Sequence, residues 1–312
     1  MPPTGRRASL LAALAATMAA PATWAGPAGA AGVVEVAPGL FVLPGVDETA
    51  STANHNAIAN TGFVVGAEAV AVLDAGGSLA HGQALRQAVA SVTSRPIRHL
   101  VLTHVHPDHV MGATAFADLR PEVIAHARLP EALALRHEGY LRALVRDLGD
   151  TARGSGALAP TRVVADRLEI DLGDRVLEIR AHAPAHTDND LSLLDRATGT
   201  LWCADLVFLR HIPTLDGSLA GWLEQLFALQ SLPAARAVPG HGPPSAPWPE
   251  CAGDTRRYLA ALRDGTRAAI AGGIGIAEAP SRVATEEAAR WRLAEAHHGR
   301  NVTAAYRQLE WE

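Results

Sequence analysis

Alternating apolar and polar positions mark a series of short strands, each ended by Gly, Pro, Asn or Asp. Val33-Val34-Glu35-Val36 and Leu40-Phe41-Val42-Leu43 flank Pro38-Gly39 and read as a hairpin. A polar loop from Asp47 to Asn60 follows and carries Asn54, His55 and Asn56. Phe63–Val65 and Ala69–Leu73 read as paired strands around Gly66, the second ending at Asp74-Ala75-Gly76-Gly77. From Ser78 to Val92 the period becomes helical, with Leu79, Leu85 and Val89 on one face. The apolar run Ile97–Leu102 reads as a strand that leads straight into Thr103-His104-Val105-His106-Pro107-Asp108-His109. Val123–Ala125 is a further strand, and Leu129–Leu148 is one helix or two broken at Gly139. The Gly/Ala/Pro-rich stretch from Gly149 to Pro160 reads as a surface connection.

The second half repeats this style. Leu168–Asp171 and Val176–Ala181 flank Gly173-Asp174, and Leu191–Leu194 and Thr200–Ala204 meet at Thr198-Gly199. Leu219–Leu229 is helical, and Ala237-Val238-Pro239 is a short strand ending at Gly240-His241-Gly242. From about Glu250 onward the pattern is helical, broken near Gly272-Gly273 and Gly299. Two similar β-α halves are satisfied by two sheets packed face to face with helices outside. The only linker candidate, Gly149–Pro160, has histidines of interest on both sides, so one catalytic domain over 32–312 is expected, with a C-terminal helical extension from about 250.

Composition narrows this picture. The 312 residues are nearly half apolar, enough for a substantial core, and the formal net charge is −5. The arginines are scattered, with no basic stripe of the kind nucleic acid requires. No internal apolar run is long enough to span a membrane. All 27 basic side chains are Arg, which excludes a Schiff-base lysine and a phosphate-loop lysine and leaves anion binding to arginine. Cys203 and Cys251 are too few for a disulfide framework, and the sequence does not say whether they pair. Arg6-Arg7, the apolar Ala8–Ala20 and Pro21-Ala22-Thr23-Trp24-Ala25 have the order of a secretory signal, with cleavage expected after Ala25 by a general or a twin-arginine route. The expected destination is the periplasm or the exterior. The mature chain would keep 25 Arg against 32 acids, a net charge of −7.

The candidate chemistry lies in the histidines at strand ends: His104, His106 and His109, then His186 in Ala185-His186-Thr187-Asp188-Asn189, and His241 between two glycines. In an extended segment His104 and His106 point the same way and converge on one ion, while a turn after Pro107 aims Asp108 and His109 elsewhere, toward a second. Imidazole and carboxylate donors with almost no Cys suit catalytic Zn²⁺ rather than a closed structural site. His81, His99, His126, His137, His182, His297 and His298 are read as ordinary core or surface residues.

At these residues the chain resembles the metallo-β-lactamase superfamily at five stations: Leu73-Asp74-Ala75-Gly76; Thr103 to His109; Ala185-His186-Thr187; Ala204-Asp205-Leu206-Val207-Phe208; and Pro239-Gly240-His241-Gly242. Ala185 and Ala204 stand where the family usually has glycine. The resemblance implies an α+β fold, the four-layer αββα sandwich, and two Zn²⁺ per chain. It implies His104, His106 and His186 at the first zinc, Asp108, His109 and His241 at the second, Asp205 between them, and Asp74 steadying the metal loop. Asn189-Asp190-Leu191, Asp216-Gly217-Ser218, 239–248 and 301–312 resemble the exported subgroup of quinoprotein relay system zinc metallohydrolases, which implies service to a quinoprotein dehydrogenase system.

The activity these features imply is attack of metal-bound hydroxide on the carbonyl of a small ester, lactone, thioester or amide, with Asp108 orienting the nucleophile and passing a proton. Asn54, His55, Arg210 and His211 are the expected substrate contacts, Arg210 as a carboxylate clamp in place of lysine. Trp222 and Cys203 are expected in the core. The alternatives on the same fold are an iron-dependent sulfur dioxygenase using His104, His186 and Asp205, a β-lactamase, and a non-catalytic relay or binding protein, for which a degraded ligand set would be expected.

Overall fold

The computed structural model describes Met1 and residues 32–312; the expected signal peptide therefore lies outside the described residues. The first sheet is formed by β1 (Val34–Ala37), β2 (Leu40–Leu43), β3 (Thr61–Val65), β4 (Val70–Leu73), β5 (Ile97–Leu102), β6 (Glu122–His126) and β7 (Arg162–Val164), adjacent in that order. Its first four strands pair antiparallel, and β4 to β7 are parallel. The second sheet runs β13-β12-β11-β10-β9-β8, with β8 (Arg167–Asp171), β9 (Val176–Ala181), β10 (Leu191–Asp195), β11 (Thr200–Phe208), β12 (Arg236–His241) and β13 (Ala246–Pro247).

The period-two alternation of strand side chains builds the layers. One apolar cluster lies between the sheets, where Val42, Leu73, Val101 and Ile124 of the first meet Ile179, Leu193, Trp202 and Val238 of the second. On the outer face of the first sheet, Val72, Leu100 and Leu102 pack against α1 (Leu79–Val92) through Leu85 and Val89, and against α3 (Leu129–Leu148) through Leu144 and Leu148. On the outer face of the second, Cys203 and Ala237 pack against α4 (Leu219–Leu229) through Trp222 and Leu226. They also meet α5 (Ala252–Ala271) through Tyr258 and Leu262, the short α6 (Thr285–Ala288) through Ala288, and α7 (Ala294–Leu309) through Val302 and Ala305. The result is the expected αββα sandwich. The helices after residue 250 are its fourth layer rather than an appendage.

Several boundaries follow from local chemistry. Ser78 caps α1 and Ser218 caps α4, each side chain accepting a backbone N–H of the first turn. Two expectations are corrected, the break at Gly299 and the surface connection after α3, and two open points are resolved, the continuity of α3 and the state of the cysteines. Gly139 and Gly299 do not break α3 and α7, because both helices are fixed by buried faces that offset the roughly 1 kcal/mol cost of an internal glycine. The segment after α3 is not purely a surface connection: Ser155 is buried and its hydroxyl accepts from Leu79 N at 2.8 Å. The three-residue edge strand β7 follows it. Cys203 and Cys251 are both free thiols. No described helix is long and apolar enough to cross a membrane.

Candidate metal centre

Strand β5 ends at Leu102, and the chain then turns through Thr103 to His109 into the one-turn helix α2 (Pro107–Val110). Pro107 occupies a first-turn position, where its missing N–H costs nothing. Asp74, at the end of β4, ties this loop down. It accepts from Thr103 N at 2.8 Å and Thr103 Oγ1 at 2.9 Å, and its other oxygen lies 2.9 Å from His109 Nδ1. Asp74 is fully buried and adopts φ 59°, a left-handed conformation that Asp tolerates.

The structure brings the seven expected ligands into two groups. The donor atoms of His104, His106, His186 and Asp205 lie within 4.8 Å of one another, as do those of Asp108, His109 and His241. Asp205 reaches both groups: its oxygens are 3.3 Å from His186 Nε2, 3.7 Å from His104 Nε2, 3.1 Å from His109 Nε2 and 3.4 Å from His241 Nε2. Asp108 Oδ2 is 3.3 Å from His241 Nε2.

Each ring is held by its other nitrogen. His186 Nδ1 donates to Thr214 O at 2.7 Å and His241 Nδ1 to Ile58 O at 3.0 Å, which leaves both Nε2 lone pairs facing the group. His104 Nδ1 is 3.1 Å from Thr103 Oγ1. His106 is reversed: its Nε2 is 3.2 Å from Asp216 Oδ2, so Nδ1 faces inward, 2.9 Å from His186 Nε2. Such anchoring fixes tautomer and aim, as metal-ligating histidines require. Three inward atoms, His104 Nε2, His109 Nε2 and Asp205 Oδ1, are buried and make no well-aligned hydrogen bond, although the last two lie 3.1 Å apart. Buried polar atoms left unpaired are costly, and cations bound between them would satisfy all three. The donor set fits two borderline divalent ions.

Two backbone features make room for Asp205. A Cβ on Gly240 would lie 1.8 Å from Asp205 Oδ1, so only glycine fits in β12 at that point. Ala204, standing where the resemblance expects glycine, has φ 45° inside an irregular stretch of β11. Strain of this kind is held in place by surrounding structure and clusters at functional sites.

Electrostatics separates the two groups. Burial pushes the His186 ring down to about 3 and His104 well below its ordinary value. Burial also opposes charge on His241, but the Asp205 and Asp108 carboxylates prevail and raise it to about 9. Burial would raise Asp108, yet His109 and His241 hold it below the ordinary carboxylate range.

His106, Asp108, Asp205 and His241 of these groups line a cavity of about 550 Å³. His211 lines it, its ring tilted by 33° to that of His241 with centroids 4.7 Å apart. The other expected substrate contacts lie elsewhere. Arg210 points to Asp47 at 3.2 Å and does not line the cavity. Asn54 closes its own loop, donating to Thr49 O and accepting from Ser51 N and Asn56 N. His55 is also outside the lining, although Glu48, Thr49, Ala50, Asn56 and Ile58 of the same loop reach it. Trp222 is core as expected, and its ring lies 5.1 Å from His186. The sequence reading missed Asp216, which orients His106, and it set aside His297, which lines the cavity with Arg136, Tyr140 and Arg300. Helical spacing of Arg136, Tyr140, Leu144 and Asp147 was the one sequence signal for a lining face.

The model of the Metallo-beta-lactamase superfamily matches residues 57–241, more than half of the chain. A linear primary-alkylsulfatase from Pseudomonas sp. (strain ATCC 19151) is 23% identical over 212 residues, covering 57% of this chain and 40% of that protein. The chain spans less than half the length of the curated relatives it matches. Among solved structures, the sec-alkylsulfatase Pisa1 from Pseudomonas sp. superposes with a TM-score of 0.68 at 17% identity, covering 90% of this chain and 50% of that one. A metallo-beta-lactamase from Pontibacter korlensis gives 0.57 at 16% identity, covering 73% and 98%. With its two-sheet sandwich and its histidine-rich strand ends, the chain belongs to the metallo-beta-lactamase superfamily.

Proposed function

We propose that the protein is a zinc-dependent hydrolase of small esters, lactones, thioesters or amides. The observation that carries this reading is Asp205, set between two complete donor groups whose ring nitrogens are already aimed. His104, His106 and His186 would hold one zinc, Asp108, His109 and His241 the other, with Asp205 shared. Bound zinc supplies Lewis acidity at the acyl oxygen and lowers the pKa of water to ~7. The chain's own part is to exclude bulk water, fix the donors and move protons. Asp108 lines the cavity 3.3 Å from His241 and is placed to orient water and carry a proton to the leaving group.

The complete second group disfavours a one-iron sulfur dioxygenase and a non-catalytic relay protein, neither of which needs it. Sulfate esters are the second substrate reading, because one curated relative and a structural neighbour covering 90% of this chain are alkylsulfatases. Export rests on residues 1–25, and service to a quinoprotein dehydrogenase on the subgroup resemblance alone.

The test is a screen of esters, lactones, thioesters, β-lactams and alkyl sulfates on zinc-quantified protein. Turnover of one acyl class, abolished by His104→Ala, is expected. Turnover that survives His104→Ala overturns the reading.

A further inference from the structure

One wall of the cavity comes from α7, which lies beyond the segment matched by the superfamily model. It contributes His297 and Arg300. Another wall comes from α3, where Arg136 and Tyr140, four residues apart, share a face.

The charges around the cavity are nearly all engaged. Asp216 meets His106 at 3.2 Å and Arg136 at 3.7 Å, Asp147 meets Arg146 at 2.7 Å, and Glu48 accepts from Asn54 Nδ2 at 3.1 Å. Asp108 and Asp205 belong to the donor groups. Among the described residues, Arg300 is the one charged side chain of the lining with no hydrogen bond or ion pair. Arg136 has only the 3.7 Å contact, too long for a hydrogen bond, so its five donors are unspent. Tyr140 makes no hydrogen bond to the described residues. Burial pushes its pKa up, so the hydroxyl remains a neutral donor. Unspent donors on two walls face a space that Ile58, Leu144 and Leu215 make apolar elsewhere.

We propose that the substrate carries an oxyanion (a carboxylate, sulfate or sulfonate) on an apolar body, and that Arg300 and Arg136 hold that group while Tyr140 donates to it. This rests on the hydrolase reading for its chemistry. α7 therefore sets specificity on a sandwich whose metal groups come from the segment before it. Guanidinium matches a planar or tetrahedral oxyanion with paired donors, which a lysine would not.

Two measurements on the zinc-loaded full chain test this. Calorimetric titration with hexanesulfonate reads binding directly, and any contact between sulfonate and zinc is common to all variants. Arg300→Gln is expected to weaken binding about tenfold, and Arg300→Lys to restore part of it. Equal binding by wild type and Arg300→Gln overturns the proposal. Kinetics on p-nitrophenyl acetate and mono-p-nitrophenyl glutarate, which share a leaving group, read specificity. Arg300→Gln is expected to raise KM about tenfold for the glutarate ester alone, with kcat retained. An equal effect on both esters overturns it. Arg300-dependent sulfonate binding in a protein that turns over neither ester supports the anion site and counts against the hydrolase reading instead.

Discussion

Asp108 differs from the other carboxylates of the centre in exposure: its side chain is 14% accessible, against 3% for Asp205 and 0% for Asp74. The two deeper carboxylates are committed, Asp74 to Thr103 and His109, and Asp205 to the rings on both sides. Asp108 lines the cavity with His241 at hand and is the more accessible of the two carboxylates that reach it from the donor groups, which is what a proton carrier needs. Asp108→Asn is therefore expected to lower kcat roughly 10²–10⁴-fold, measured by steady-state turnover on metal-quantified protein. Full turnover with zinc retained would rule out the proton-carrying role.

At the level of elements, α7 does more than cover the second sheet. Asn301 accepts from Leu215 N at 2.9 Å and donates to Pro213 O at 2.6 Å and to Tyr258 Oη at 2.9 Å. Gln308 grips the same loop at Gly217 O and Leu219 N. That loop supplies Thr214 O to His186 and Asp216 to His106, so α7 sets the aim of two rings. Asn301→Ala should lower zinc affinity about tenfold, read by competition with a chelating dye, and cost about 1–3 kcal/mol of stability. Unchanged affinity would show that the loop holds its position without the helix. None of this was legible in the sequence, because a side chain's contact with a distant loop leaves no periodic mark. What was legible had a local cause. Ile97–Leu102 read correctly because its apolar run ends at a buried turn, and the His104–His109 run read as a metal loop because its residue types suit little else. Arg162–Val164 was missed because three residues show no period, and Gly139 and Gly299 suggested breaks because glycine's local cost is visible while the packing that offsets it is not. Arg210 beside the Asp205 station looked like a clamp, but its backbone turns left-handed at φ 66° and delivers the side chain to Asp47.

For the molecule as a whole, the αββα layering places the centre at one end of both sheets and depends on contacts between layers. His182 is one: its Nδ1 is 3.0 Å from Gln225 Oε1 on α4 and its Nε2 is 2.8 Å from Ser192 Oγ on β10. Burial lowers this ring to about 4. The unfolded chain then binds the proton first, so the stability from the neutral ring is present above about pH 6.5 and is lost as pH falls toward 4. Chemical denaturation between those limits should show stability falling with pH, and His182→Gln should flatten that fall by about 3 kcal/mol. An identical pH slope in the variant would mean that the ring does not titrate on unfolding. The shared carboxylate at Asp205 is the feature on which the functional reading stands, and metal content tests it most directly. Plasma emission on purified, zinc-reconstituted protein should give two zinc ions per chain, as the two donor groups require; a single iron per chain, with the Asp108–His109–His241 group empty, would contradict it.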